Sequence, residues 1–456
     1  MKHLVSLLLA VMMTFGVAAI VGCDRTPADT STSDINTDLP GDYTAKISLG
    51  VMNDPGEISN ADKFIESFNE KYPNITVSVE PISGSYAEYI LNNAAAGLIP
   101  DVFWVGDDSV TRFAENDLLL NLDDVIEADD EFDIDAYYPA MVKLGQRDHN
   151  GSQFMLPRDY NKITVIYNKD LFDKAKVAYP KDDWTYDEFV DTCEALRAAF
   201  DADQNLQSCY PVDAMLNWPP SYTAFFAGFG ATTIQNGEVQ FDSPEGMEAI
   251  EAMKYLVDEK LAFNPYNASI GNLFLSNKVA MWFSVRTIVS QCVAASLNFD
   301  FAAFPAFEHP SVGAGTSGYG IYSGTSDKNA SWALLKHMMS EEGQEAFSQT
   351  GNAVPSLMAM NEAENASWKM YPSKDYNHDA FVANPDRDVV VTELEGLPSE
   401  IHADISGGML DLLSKAFLPS TYPDEFKKKY PNKEDQTLAN WVVFKKGQLE
   451  EIIQDV

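Results

Sequence analysis

Basic residues are scarce in this chain: lysine and arginine number 31 against 69 aspartates and glutamates, a formal net charge of −38 over 456 residues. Nucleic-acid binding depends on basic side chains that neutralise phosphates, so the composition argues strongly against a nucleic-acid partner. Hydrophobic residues still make up 45% of the chain, enough for folded cores. The length predicts two or three folding units rather than one.

Metal and nucleotide motifs are also lacking. The six histidines show no His-x-x-x-His pair and no zinc-type spacing with cysteine, so we expect no metal site. Neither a P-loop nor a G-x-S-x-G sequence occurs. The stretch GAGTSG, with Gly313, Gly315 and Gly318, precedes a strand-like run rather than a helix. We therefore interpret it as a flexible loop and expect no cofactor.

Cysteine is limited to four residues, and three of them lie far from the start of the chain: Cys193, Cys209 and Cys292. An odd number in an exported protein suggests one disulfide and one buried thiol, and Cys193 and Cys209 are close enough in sequence to pair. Three buried thiols are the alternative. The sequence leaves both open.

One long hydrophobic run is present, at the start of the chain: MKHLVSLLLAVMMTFGVAAIVGC. A basic Lys2, an apolar stretch and small residues before Cys23 are typical of a signal peptide, here residues 1–22. An uncleaved membrane anchor is the alternative, since the run approaches spanning length. The polar residues that follow, to residue 41, predict a flexible tether with a reach of roughly 25 Å.

The segments after the tether alternate between strand and helix patterns. AKISLGVM, ITVSVEPI and DVFWV predict strands, and the stretches between them predict helices. This β-α-β-α-β order implies a parallel sheet, in which ligands lie beyond the carboxyl ends of the strands. Trp104, Asp107 and Asp108 in IPDVFWVGDD lie at such an end.

Several aromatic residues stand beside polar ones: Trp104, Tyr160, Trp218, Tyr222, Trp282 and Tyr319. Taken singly, each is more often a core residue than a ligand contact. As a group beside carboxylates and amides, they suit a sugar, which presents apolar ring faces and a rim of hydroxyls. A glycoside hydrolase would use the same residue types, with two acids flanking the bond to be cut.

The order and spacing of many segments resemble extracellular solute-binding protein family 1, the lipoprotein receptors of carbohydrate ABC importers. The resemblance covers about residues 45–420 and includes a lipobox-like IVGC. Its segments include FNEKYPNITVSVE, AAGLIPDVFWVG, LPRDYNKITVIYNKDLF, FDSPEGMEAIEAMKYLVDE and GYGIYSGTSDKNASWALLKHMM.

The resemblance implies an α/β, periplasmic-binding-protein-like fold with two lobes, a hinge crossed three times and a ligand cleft between the lobes. We expect the crossings near residues 156–161, 304–309 and 340–343. Lobe 1 would then comprise 42–156 with 307–342, and lobe 2 would comprise 157–306 with 343–456. Lipidation of Cys23 would hold a monomer on the outer face of a membrane, where it passes its ligand to an ABC permease without a catalytic step.

The resemblance also implies ligand positions. Trp104 and Asp107 match a stacking and a hydroxyl-binding position. Asn161 matches a polar position on the hinge side, and Asp159 and Tyr160 are its neighbours. Asp108 adjoins Asp107, and Asn217 and Trp218 fall in a segment that often supplies a contact from lobe 2. Tyr319 and Asn352 belong to stretches that resemble loops bordering the cleft.

One departure concerns the stretch MWFSVRTIV, where the family usually has a Gly-x-Trp stacking platform. Arg286 and Thr287 stand there instead, so a sugar acid, a branched glycan or a non-sugar solute such as a polyamine or peptide is also compatible. Arg286 would either pair with a ligand carboxylate or be a surface charge.

Overall fold

The structure is a computed structural model that describes residues 31–94, 96–146, 151–267, 272–349, 351, 353–363 and 366–456. Its strands are β1 Ala45–Met52, β2 Ile75–Ile82, β3 Val102–Gly106, β4 Leu156–Pro157, β5 Asn161–Lys162, β6 Thr164–Asn168, β7 Tyr210–Asp213, β8 Ile234–Gln235, β9 Glu238–Val239, β10 Val279–Ser284, β11 Phe299–Ala302, β12 Val312–Gly315, β13 Ser317–Ile321 and β14 Asp388–Val389.

The helices follow the same numbering along the chain. They are α1 Pro55–Lys71, α2 Tyr86–Ala94, α3 Val110–Glu115, α4 Asp123–Ala128, α5 Pro139–Leu144, α6 Lys169–Ala175, α7 Tyr186–Ala202, α8 Pro219–Gly228, α9 Pro244–Asp258, α10 Val289–Ala294, α11 Lys328–Met339, α12 Glu341–Ser348, α13 Ala359–Glu362, α14 His402–Phe417, α15 Asp424–Lys429 and α16 Leu438–Gln454.

The first lobe is built on a five-stranded sheet in the order β2-β1-β3-β13-β4. The strands β1, β2 and β3 run parallel, as the β-α-β-α-β pattern predicted, while β13 returns antiparallel to β3 and β4. Helices α1, α11 and α12 pack on one another and against this sheet. Phe64, Phe68 and Trp332 lie fully buried in the core between them.

The second lobe is built on a four-stranded sheet in the order β11-β6-β10-β7. It is mixed, because β6 runs antiparallel to both β10 and β11 while β7 and β10 are parallel. Its core extends through α7, α8 and α9 to the C-terminal helices α14 and α16, and Trp441 of α16 is fully buried there. The C-terminal helices are therefore an integral part of this lobe.

A three-stranded ribbon in the order β14-β12-β5 lies where the chain passes between the two sheets. The chain leaves the first sheet at β4 and enters the ribbon at β5, within the first crossing that we expected. It returns between β12 and β13 at Thr316, later than the expected 304–309. Helix α12 still packs on α1, beyond the third expected crossing at 340–343.

The stretch WTYDEF predicts a capping box of Thr185 and Glu188, and DSPEG predicts Ser243 as a helix N-cap. The hydrogen bonds of the two helix starts confirm both predictions. Thr185 and Glu188 form a capping box at α7: the Thr185 hydroxyl accepts from the Glu188 amide at 3.2 Å, and the Glu188 carboxylate accepts from the Thr185 amide at 2.7 Å. Ser243 caps α9 by accepting from the Gly246 amide at 3.0 Å. These contacts satisfy amide groups that a helix start leaves without intrahelical partners.

The stretch NASWALLKHMMSEEGQEAFSQTG, residues 329–351, predicts one helix that ends at Gly351, but the structure has two helices there. It breaks at Ser340, which ends α11 and whose hydroxyl accepts from the Gly343 amide to begin α12. A Cβ atom on Gly343 would lie 2.1 Å from the His337 carbonyl oxygen, so the tight junction requires glycine there. The sequence showed helical periodicity on both sides but not this capping break.

The interpretation of GAGTSG as a flexible loop is wrong, because these residues form most of β12 and the start of β13. The glycines allow close backbone approach rather than phosphate binding. A Cβ atom on Gly313 would lie 2.2 Å from the Pro220 carbonyl oxygen, and one on Gly318 would lie 2.0 Å from that of Leu156.

Cys193, Cys209 and Cys292 are all buried free thiols, so of the two alternatives the structure has the three thiols. Burial raises the pKa of each thiol, that of Cys292 to about 12. Thiols in such apolar surroundings are inert. Within the residues described, none of the helices combines the length and the apolar character that a membrane span requires.

Candidate functional site

A cavity of about 1180 Å³ opens between the two lobes, and it is walled by elements of both. The first lobe contributes α2, the turn after β3 and α3, while the ribbon contributes β5 and the end of β12. The second lobe contributes the start of α8, the residues after β10 and a C-terminal stretch between 391 and 406. A site of this size accepts a ligand larger than a single hexose.

Asp107 and Asp108 line the cavity in a 3₁₀ turn that directly follows β3. Asp107 is half-buried against Gly315 of β12, whereas Asp108 is exposed and accepts a hydrogen bond from the Ser109 hydroxyl at 2.9 Å. Burial, and next the charge of Asp108, raise the pKa of Asp107 to about 7, although the Thr316 and Asp108 amides donate to its carboxylate. The predicted strand-end acids are therefore brought to the cavity.

Asn161 lies on the cavity wall at the start of β5, in the ribbon where the chain passes between the two sheets. Its side-chain oxygen is buried and has no hydrogen-bond partner among the described residues. An unmet acceptor at a cavity wall suits a donor group of a ligand. Its neighbour Lys162 forms a buried ion pair with Asp388, which fixes β5 to β14.

Trp218 supplies an aromatic face to the cavity at the start of α8. Its ring is half-buried against the second-lobe core, and Pro219 and Pro220 continue the wall. Proline at the first helical position favours this abrupt helix start. Asn217, predicted together with Trp218, is exposed and is not part of the wall.

The C-terminal stretch supplies a wall that the sequence reasoning missed. Glu393 is buried and accepts hydrogen bonds from the Tyr222 hydroxyl at 2.8 and 2.9 Å, and burial raises its pKa to about 7. Glu395, Glu400 and His402 line the same side. Strand periodicity offered no signal for this wall, because residues 393–396 form turns in which the Glu395 amide donates to the Thr392 carbonyl at 3.0 Å.

Arg112 of α3 is the one arginine on the described cavity wall, which has no lysine. Its guanidinium forms an ion pair with Glu88 of α2 at 3.0 Å, so its charge is already matched. The described wall is therefore predominantly acidic, with carboxylates on both the first and the second lobe.

Three predicted aromatic residues lie off the cavity wall. Trp104 is partly buried on β3. Its ring packs on that of Tyr86 in an edge-to-face arrangement with centroids 5.2 Å apart, and it also covers Gly106, just before Asp107. Tyr319 is fully buried opposite Trp104 on β13, and Trp282 is buried against Phe274 in the second-lobe core. These three side chains contribute to packing in this conformation.

Asp159 and Tyr160 belong to buried networks beside the ribbon rather than to the wall. Asp159 accepts from the Arg158 guanidinium at 2.9 Å and from the Ser317 amide at 3.1 Å, so its carboxylate is already engaged. Tyr160 stacks on Tyr138 with ring centroids 3.8 Å apart. Both residues hold the crossing strand in place.

Arg286 is fully buried, which excludes the surface-charge alternative, and it is not on the cavity wall. Its guanidinium donates to the carbonyl oxygens of Gly351, Trp368 and Tyr371 and contacts His378 at 2.9 Å. It thus anchors the segment after α12. Its neighbour Thr287 does line the cavity.

The predicted residues Asn352 and Cys23 lie outside the described residues, together with residues 1–22 and the start of the tether. Among the residues that the structure describes, no group of three or more histidine, cysteine or acidic side chains is placed to hold a metal ion.

Comparison with protein families gives one match over most of the chain. The model described as "Bacterial extracellular solute-binding protein" matches residues 63–374, more than half of the sequence. This range includes strands β3 and β13 of the five-stranded sheet and the ribbon strands β5 and β12, but not β14.

Solved structures share the fold at low sequence identity. An ABC substrate-binding protein of Listeria monocytogenes in complex with cycloalternan is 19% identical, with a TM-score of 0.70, and the match covers 90% of this chain and 99% of that one. The sugar-binding protein MalE of Xanthomonas citri is 18% identical, with a TM-score of 0.70 and coverage of 90% and 98%. The GacH receptor of Streptomyces glaucescens, solved unliganded and with acarbose, is 19% identical, with a TM-score of 0.66 and coverage of 91% and 100%. The expected two-lobed α/β fold is thereby confirmed.

Proposed function

The chain belongs to the bacterial extracellular solute-binding protein family, and we propose that it captures a sugar or oligosaccharide between its lobes and delivers it to an ABC permease. The observation that carries the proposal is the interlobe cavity of about 1180 Å³, which combines an aromatic face with hydrogen-bonding groups from both lobes. The carbohydrate complexes of the Listeria and Streptomyces proteins support it.

In this proposal Trp218 covers an apolar ring face, and Asp107, Asp108 and Asn161 bind hydroxyls. The acids and the tryptophan come from opposite lobes, so a bound sugar would join the lobes and favour closure about the ribbon. Thr287 and the C-terminal residues around Glu393 would complete the enclosure. Trp104, Trp282 and Tyr319 would act through packing, and Asn352 remains a proposed contact.

The proposal places the protein outside the membrane as a lipid-anchored monomer, attached through Cys23 after removal of residues 1–22. Residues 23–41 would give it reach toward the permease. It would carry out no catalytic step, since capture and release suffice for delivery. Product release from chromogenic glycosides at catalytic protein concentration would contradict this part of the proposal.

The first test is thermal unfolding of residues 24–456 with a panel of mono- and oligosaccharides. A ligand at 100 times its dissociation constant adds roughly 2.7 kcal/mol to the free energy of unfolding and raises the midpoint. A rise with one class of glycan is the expected result. A rise with peptides or polyamines alone would leave the fold assignment intact and contradict the proposal that the ligand is a saccharide.

A pair of variants separates the cavity from the surface. Trp218→Ala removes the proposed stacking face and should weaken saccharide binding by about 1–3 kcal/mol. Trp218 is the N-cap residue of α8, but its side chain makes no capping hydrogen bond, so the substitution removes none. Tyr255→Ala is the matched control, because Tyr255 is 42% exposed on α9 and away from the cavity. Equal affinities for the two variants would contradict the placement of the site.

A further inference from the structure

From the chemistry of the cavity wall we infer that the captured saccharide carries a protonated amine, as an amino sugar or an amine-linked oligosaccharide does. This inference rests on the proposed function and narrows its substrate class. It combines the charge of the wall, the hydrogen-bonding character of its polar atoms and their distribution over two lobes.

Acidic side chains line the cavity on both sides. Asp107 and Asp108 face it from the first lobe, and Glu393 and Glu400 face it from the second. Within the described part of the chain, the ion pairs join none of these four to a lysine or arginine. The single arginine of the wall is matched by Glu88 at 3.0 Å.

The polar atoms of the wall mainly accept hydrogen bonds. The Asn161 oxygen is buried and unpartnered among the described residues. The carboxyl groups of half-buried Asp107 and buried Glu393 accept hydrogen bonds from protein donors: amides for Asp107 and the Tyr222 hydroxyl for Glu393. An ammonium group has three donors and no acceptor, so it matches this wall better than a hydroxyl does.

Electrostatics distinguishes an amine-bearing saccharide from neutral and acidic saccharides as the ligand. Burial raises the pKa of Asp107 and of Glu393 to about 7 and so favours their neutral forms. A bound cation a few ångströms away would favour the ionised forms and would form charge-assisted hydrogen bonds with them. A sugar acid would meet these carboxylates without an unmatched lysine or arginine on the described wall. Arg286, the expected partner for such an acid, is buried elsewhere.

The test uses matched saccharides that differ at one group. Glucosamine, its N-acetyl derivative, glucose and glucuronic acid are compared by isothermal titration calorimetry at pH 6, together with their short oligomers and with galactose and mannose counterparts. For every scaffold that binds, the amine form should bind at least tenfold more tightly than the hydroxyl form. The advantage should shrink as salt is raised from 0.05 to 0.5 M, roughly a threefold fall in Debye length.

Two exposed acids provide variants whose folding is not at risk. Asp108→Asn and Glu400→Gln remove one charge each from opposite walls, and each should lower amine affinity severalfold and by more than it lowers the affinity for the hydroxyl form. Glu251→Gln is the matched control, since Glu251 is an exposed acid of α9 outside the cavity. Its amine affinity should equal that of the unaltered protein.

The outcomes distinguish this inference from the function on which it rests. A neutral or acidic saccharide that binds as tightly as the amine form would overturn the amine inference and leave saccharide capture intact. An equal loss for Glu251→Gln would reduce the effect to the overall charge of the protein and overturn it as well. Binding of spermidine without any saccharide would overturn both.

Discussion

Replacing Lys162 by methionine removes one partner of the buried pair that joins β5 to β14. The ammonium lies 2.6 Å from Asp388, both side chains are 2% exposed, and the ammonium also donates to the Ala383 carbonyl at 2.6 Å. Burial lowers the pKa of Lys162 and raises that of Asp388, so the loss of hydration outweighs the attraction for both groups. Such a pair adds little net stability, yet losing one partner leaves an unmatched buried charge.

The expected loss for Lys162→Met is about 3–5 kcal/mol in the free energy of unfolding. For a lobe of 150–250 residues this corresponds to a fall in the thermal midpoint of roughly 6–20 °C. Adding Asp388→Asn should restore a large part of the loss, since the amide is uncharged and still accepts from the Tyr160 hydroxyl. The measurement is urea and thermal unfolding of the two variants and the unaltered protein by circular dichroism.

Lys254→Met is the control for that experiment, because Lys254 pairs with Asp258 on the surface of α9, where the two side chains are 24% and 49% exposed. Surface pairs contribute up to about 1 kcal/mol. The reasoning is refuted if Lys162→Met destabilises no more than Lys254→Met does. It is also refuted if the double variant is as unstable as the sum of its single substitutions.

Three further predictions follow from the site and the cores. The raised pKa of Asp107 means that the unliganded protein binds more protons than its unfolded chain between pH 4 and 7. Asp107 therefore contributes to the free energy of unfolding at low pH, and this contribution is lost as the pH rises through about 7. Urea unfolding at pH 5 and 8 should therefore show a smaller pH difference for Asp107→Asn, and an unchanged difference would contradict this. Residues 24–456 should show three thiols to Ellman's reagent in denaturant and slow reaction when native, whereas one thiol would indicate a disulfide between Cys193 and Cys209. Thr185→Ala removes the α7 capping box and should lower the free energy of unfolding by about 0.5–2 kcal/mol; a loss below 0.3 kcal/mol in urea unfolding would show that the cap is dispensable.

The fold was largely predictable because its signals are local. The strands of the first sheet, the Thr185 cap and the Ser243 cap all follow from short-range periodicity and hydrogen bonding, and they occur where expected. The sheet change at Thr316 and the break at Ser340 were missed, since strand partnership and helix packing depend on residues distant in sequence.

The candidate site was predictable in part, for a related reason. Asp107 and Asp108 reach the cavity because they directly follow a strand that periodicity predicted, whereas Asn161 and Trp218 were expected there from the family resemblance. The direction of a side chain is harder to predict. Trp104 lies within β3 and packs on Tyr86, while Asp107 lies in the turn after β3 and lines the cavity.

The second-lobe wall around Glu393 was not found by these signals, because the strand before it, β14, has only two residues and residues 393–396 form turns. Its contribution depends on Tyr222 and on the second-lobe core.

The position of that wall along the chain has a consequence for biosynthesis. Both sheets and the ribbon strands β5 and β12 are complete by Ile321, but the acidic wall of the cavity comes from residues 391–406 and is synthesised late. A growing chain thus has its first lobe long before it has an enclosed cavity. Residues up to Ile321 alone cannot enclose a ligand in this cavity. The enclosed cavity forms only when the C-terminal part of the chain, which includes residues 391–406, folds onto the second lobe.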